Sequence, residues 1–140
     1  MKDLLELQTG QVSFLSGLLA GFALSIAVNI LRHGLKHKVA EIVFILLIVV
    51  TLLFLVSLYV DVRLSIELAG VSSMSDAKAQ IVASVRVLGT TSATIAFALF
   101  IFSIGLFGWI ATPLLGILSS AGAALALGVL GYVWFAVQAL

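Results

Sequence analysis

Cysteine is absent from the chain. Disulfides, thiolate nucleophiles and thiolate metal sites are therefore excluded, and the redox compartment is left open. Charge is nearly as scarce, since 9% of residues are Asp, Glu, Lys or Arg and the formal net charge is +1. A balance that small offers nothing to a phosphate backbone, so no nucleic-acid partner is expected. The two histidines, His33 and His37, share one turn. The acids Asp3, Glu6, Asp61, Glu67 and Asp76 are expected outside the membrane spans, with no paired arrangement in reach. With no phosphate-binding loop and no metal cluster either, neither an enzyme nor a cofactor is expected.

What the chain has is apolar length. Hydrophobic residues make up 63% of it and its mean hydropathy is +1.33, which places it among integral membrane proteins. Its 140 residues leave room for about four spans and no separate soluble domain. The expected fold is an all-α, multi-pass, four-helix membrane domain in the cell membrane, in contact with lipid throughout. Spans are expected at residues 12–31, 42–60, 87–110 and 114–137. Lys2 is followed by Asp3 and Glu6, and the apolar run after them is too long for a signal-peptide core, so the N-terminus is expected to stay in the mature protein.

Residues 1–10 are expected to form a short polar lead-in, a helical or frayed extension at the membrane surface, and the first span ends at LRHGLKHK, a tight basic turn around Gly34. Residues 42–60 are nearly unbroken Ile, Leu, Val and Phe and read as a lipid-facing span. From Asp61 the helical spacing continues while Arg63 and Glu67 enter, so the second helix is expected to leave the membrane. Gly70 reads as its cap, and Ser73 or Ser75 with Asp76 as the start of the third helix. A helix from Ala77 to Ile110 is about 50 Å long against a hydrocarbon core of about 30 Å. Helices 2 and 3 are thus expected to extend beyond the bilayer as a hairpin over residues 61–86. Thr112 is the expected N-cap of the fourth helix, with Pro113 at its first position. In that helix Gly116, Ser120, Ala124 and Gly128 stand four apart, a face that lets backbones approach closely. Basic residues fall on both sides of the membrane, Lys2, Arg63, Lys78 and Arg86 against Arg32, Lys36 and Lys38, and leave the orientation open.

The first span carries the one readable polar pattern. At about 100° per residue, Gln11, Phe14, Leu18, Gly21, Ser25, Asn29 and Arg32 fall on one line, with Phe22 beside it. Lipid has no partner for an Asn amide, so this line is expected to face protein or water. Read as a pore lining, Phe14, Leu18 and Phe22 form an apolar constriction that stops ions by dewetting, and Ser25 and Asn29 form a wetter segment. Arg32, with His33, Lys36, His37 and Lys38, makes one mouth basic, which favours a poorly selective or anion-tolerant pore. Read as a packing seam, the same Ser, Gly and Asn residues are interhelical contacts, and Arg32 snorkels to the headgroups.

The run GLLAGFALSIAVNIL within this span resembles the first transmembrane helix of the Orai calcium-channel family, in which a Ser-Gly-Phe-Ala segment is followed four residues later by Val-Glu. Gly21, Phe22 and Ala23 match, and Val28 and Asn29 stand where Val and Glu would. The layout is similar too: four spans, a helical extension between the second and third, and a fourth rich in small residues. The resemblance implies a homo-oligomeric ring with the first helix around the pore. Asn29 then takes the selectivity-ring position, Ser25 and Phe22 the hydrophobic section below it, and Leu18 the next layer. The family has basic residues on the pore face where this chain has Phe14 and Gly10. Asn29 has no charge to hold a divalent ion, so calcium selectivity is not expected.

The other reading is a non-conducting structural or accessory subunit of a larger membrane complex. A channel without a sensor domain needs control by voltage, lipid, pH or a regulatory membrane or cytosolic protein, through the hairpin between Gly70 and Asp76. His33 and His37 have metal-ligand spacing but Gly34 between them and no third ligand, so a solvated turn that meets anionic headgroups is expected, with no metal. Arg63 and Glu67 are spaced for a surface ion pair. GTTSAT, from Gly89 to Thr94, reads as a polar packing seam or a hinge at Gly89, and Arg86 is expected to have no acidic partner within the spans.

Overall fold

The computed structural model describes residues 2–69 and 76–139, and the side chains of 10–67 and 76–139. Four helices follow in order: α1 (Lys2–His33), α2 (Lys38–Ala69), α3 (Asp76–Ala111) and α4 (Pro113–Gln138). Each contains a stretch long and apolar enough to cross a bilayer, and the chain is an all-α, four-helix, multi-pass membrane protein. The expected caps at Gly70, Ser73 and Ser75 lie outside the described residues.

With 32, 32 and 36 residues, α1, α2 and α3 are roughly 48, 48 and 54 Å long, all well beyond a hydrocarbon core of about 30 Å. Excess length was expected of α2 and α3, and a helical or frayed extension of the lead-in; the lead-in is continuous helix, which makes α1 as long as α2. Gly34, at φ +85°, supplies the left-handed residue that ends α1 and turns the chain toward α2. Thr112 has the extended backbone of an N-cap and accepts a hydrogen bond from the Leu115 N–H at 3.3 Å, with Pro113 following as expected.

Packing runs in chain order: α1 lies on α2, α2 on α3 and α3 on α4. Helix α2 is therefore the middle of the molecule. Val43, Leu47, Val50, Phe54 and Ser57 are buried along it, and the core joins them to Ala20, Ala23, Ala27 and Ile30 of α1 and to Ala96 and Phe100 of α3. The other face of α2, with Ile42, Ile45, Leu52 and Leu55, is exposed and is the side read as lipid-facing. An unbroken apolar helix suits a protein neighbour as well as it suits lipid, because in a bilayer packing and hydrophobicity are separate properties. It is α4 that has the least cover, with large exposed side chains from Leu114 to Val137.

Candidate functional site

Helix α1 has two opposite faces. Ser16, Ala20, Ala23, Ala27 and Ile30 are buried, small residues that bring the α1 backbone close to α2. On an ideal helix their mean direction lies about 180° from the polar line. Gln11, Phe14, Leu18, Gly21, Phe22, Ser25, Asn29 and Arg32 are accordingly all exposed. A Cβ added at Gly21 would meet nothing within 4 Å. An open groove along this face is lined by Gly21, Ser25, Asn29 and Arg32 together with Leu24, Ile26 and Val28. The chain's own helices thus leave the whole line unpartnered, and a bilayer interior has nothing to offer Asn29 or Ser25.

At the end of that line, Arg32, His33, Lys36, His37 and Lys38 are all exposed. The His33 ring, through Nδ1, stands 2.9 Å from the carbonyl of Asn29, which ties the turn back onto the last turn of α1. His33 ends α1 and Lys38 begins α2, with His37 before it, so the two imidazoles do not share a helix face. No group of three His, Asp or Glu side chains among the described residues is placed to hold a metal.

A second polar region lies inside the molecule. Asp61 of α2 is 9% exposed, and its Oδ2 has no hydrogen-bond partner; Ser57, one turn earlier on the same face, is 0% exposed, and its Oγ has none either. Across from them α3 presents Gly89, which is buried: a Cβ there would stand 2.8 Å from Val60 Cγ1 and 3.7 Å from Asp61 Oδ1. The glycine permits the close approach of α2 and α3 that covers Asp61. The cation acting on Asp61 is Arg86, three residues before Gly89 and half-buried. Asp61 reads as the start of an extramembrane segment because it follows the last residue of an apolar run, and only the antiparallel pairing of α2 with α3 brings Arg86, far off in sequence, within reach of its charge. Its signal was the helical spacing from Ser57 to Asp61 and on to Leu64, which puts the acid on the buried face.

Within the GTTSAT segment Thr94 donates to the carbonyl of Thr90 at 2.9 Å and both are exposed, while Gly89 alone is buried. The Thr94 hydroxyl thus bonds within its own helix. Arg63 and Glu67 are exposed on the outer part of α2.

The third polar region joins α3 to α4. Trp109 Nε1 donates to Ser120 Oγ at 2.9 Å, and Ser119 and Ser120 donate to the carbonyl of Gly105 at 2.8 and 3.2 Å. Gly116 lies under the Trp109 indole, where any Cβ would collide with the ring. Half of the expected small-residue face is used in this way. Its other half, Ala124 and Gly128, is exposed.

No protein-family model, curated protein or solved structure matches the chain.

Proposed function

We propose that this protein is the subunit of a homo-oligomeric ion channel in which α1 surrounds the pore. One observation carries the reading: the polar line from Gln11 to Arg32 is exposed along its whole length, opposite the face that packs on α2. Several copies arranged with these lines toward a common axis give Ser25 and Asn29 the water they need, and cover Phe14, Leu18 and Phe22. The apolar side chains then form a constriction that blocks ions by dewetting. The resemblance of GLLAGFALSIAVNIL to the Orai first helix supports the same arrangement, with Asn29 in place of the ring glutamate. Between Gln11 and Arg32 the line has no carboxylate, so neutral donors and the basic mouth favour anions over divalent cations.

The mass of the intact complex, from mild detergent, tests this first. A closed ring of about four to eight identical chains is expected. A monomer, or a complex with one different protein, turns the exposed line into a docking seam and the chain into an accessory subunit. In a reconstituted ring, Leu18→Ser or Phe22→Ser should raise basal ion leak roughly tenfold, the effect of about 1.4 kcal/mol taken off a barrier. Unchanged conductance in both variants defeats the dry constriction, and strong calcium preference over chloride defeats the proposed selectivity.

A further inference from the structure

Two buried polar atoms one turn apart on one helix, both without partners, are an unfinished arrangement. Buried polar groups in folded proteins are almost always hydrogen-bonded, and buried charges are paired. Asp61 Oδ2 and Ser57 Oγ do not meet the first condition as they stand. Their positions are complementary, however. Helical side chains lean toward the N-terminus, so the Asp61 carboxyl leans over the turn that holds Ser57.

We infer that Asp61 is a proton-binding site whose occupancy decides where the Arg86 side chain stands. With a proton taken from water onto Oδ2, the neutral acid acquires a donor, and its O–H reaches Ser57 Oγ directly or through one bound water. Both unpartnered atoms are then satisfied within α2, and Arg86 is left to turn outward to headgroups and water. When the proton returns to water, the carboxylate needs a cation, and Arg86 is drawn against it across the contact at Gly89. The half-buried position of Arg86 between interior and surface suits a side chain that serves both arrangements.

No other described group competes for this role. On α1 the charged or titratable side chains from Gly10 onward are Arg32 and His33, both at the far end of that stretch. On α2 the neighbours Tyr59, Arg63 and Glu67 are exposed, and α3 adds, besides Arg86, only Asp76 and Lys78 further out, both exposed. Helix α4 contains no acid or base other than the phenol of Tyr132. Gly89 matters because its lack of a side chain lets α3 approach α2 closely at Val60, next to Asp61.

The sequence makes the test unusually clean, with three Asp residues (Asp3, Asp61, Asp76) and three Arg residues (Arg32, Arg63, Arg86). The full chain, labelled with carbon-13 at Asp carboxyls and nitrogen-15 at Arg side chains, is followed by NMR in lipid nanodiscs as pH is lowered. Assignments come from the signals lost in Asp61→Asn and Arg86→Lys. The Asp61 carboxyl and the Arg86 Nε–H are expected to titrate with one common midpoint, with Arg86 protected from solvent exchange only on the alkaline side. Arg32 and Arg63 should not follow. In Asp61→Asn the Arg86 transition should vanish. Should that variant fail to fold, Arg86→Gln must move the Asp61 midpoint while Arg63→Gln leaves it in place. An Arg86 signal that stays put through the Asp61 titration overturns the inference, as does a transition that survives in Asp61→Asn or an Asp61 midpoint indifferent to Arg86→Gln. None of these readouts needs ion conduction, so they stand apart from the fate of the channel reading.

Discussion

Two helix contacts in this molecule are built on glycine, and they differ in what surrounds the glycine. At Gly105 a Cβ would stand 2.9 Å from Ala123 Cβ, and at Gly89 one would stand 2.8 Å from Val60 Cγ1. The steric closeness is the same. Around Gly105, however, Trp109, Ser119 and Ser120 complete their hydrogen bonds across the α3–α4 contact, whereas around Gly89 the atoms Ser57 Oγ and Asp61 Oδ2 are left without partners. One contact is a finished staple. The other leaves a carboxyl and a hydroxyl without partners, an arrangement that costs stability.

The sharpest way to break this contrast is to remove the cation. Arg86→Ala takes away the cation acting on the covered Asp61, and should destabilise most in neutral buffer and less in acid, where the carboxyl is protonated. Reversible unfolding in mixed micelles reads it, and a loss no larger than that of an exposed Arg63→Ala control would mean that Asp61 is not a held charge. Next comes a matched pair of overpacking changes. Gly105→Ala should cost about 2 kcal/mol because the opposing Ala123 carbon is fixed by its backbone, and Gly89→Ala about 1 kcal/mol because a Val60 methyl can rotate aside. Equal losses in the same unfolding assay would say that the two contacts are alike after all. The smallest effect belongs to Ser119→Ala, about 1 kcal/mol or less for a hydrogen bond to a carbonyl whose second donor, Ser120, is still in place.

Much of the fold was legible before any coordinates. Four spans follow from hydropathy and length, and the α3–α4 turn follows from Thr112 and Pro113, because capping chemistry is local. The polar line on α1 was legible too, since a helix has one known period. Which side of α1 meets α2 was also written down, in Ser16, Ala20, Ala23 and Ala27, a run of small residues at three- and four-residue steps that went unread beside the more conspicuous Asn29. The central position of α2 was not legible, because Ile, Leu and Val say the same thing to lipid and to a neighbouring helix. The influence of Arg86 on Asp61 needed the third dimension, since neither residue has an oppositely charged neighbour at helical spacing on its own element.

The order of packing has a consequence for how the molecule is made. Each helix packs chiefly on its neighbours in the chain. A chain emerging from a ribosome therefore meets every main partner soon after it is synthesised, and α1 with α2 can settle as a hairpin before α3 is complete. Such low sequence separation between partners favours fast assembly with little exposure of unpaired surface. It also means that the outer face of α1 is the first surface finished and the longest available while α4 is still being translated.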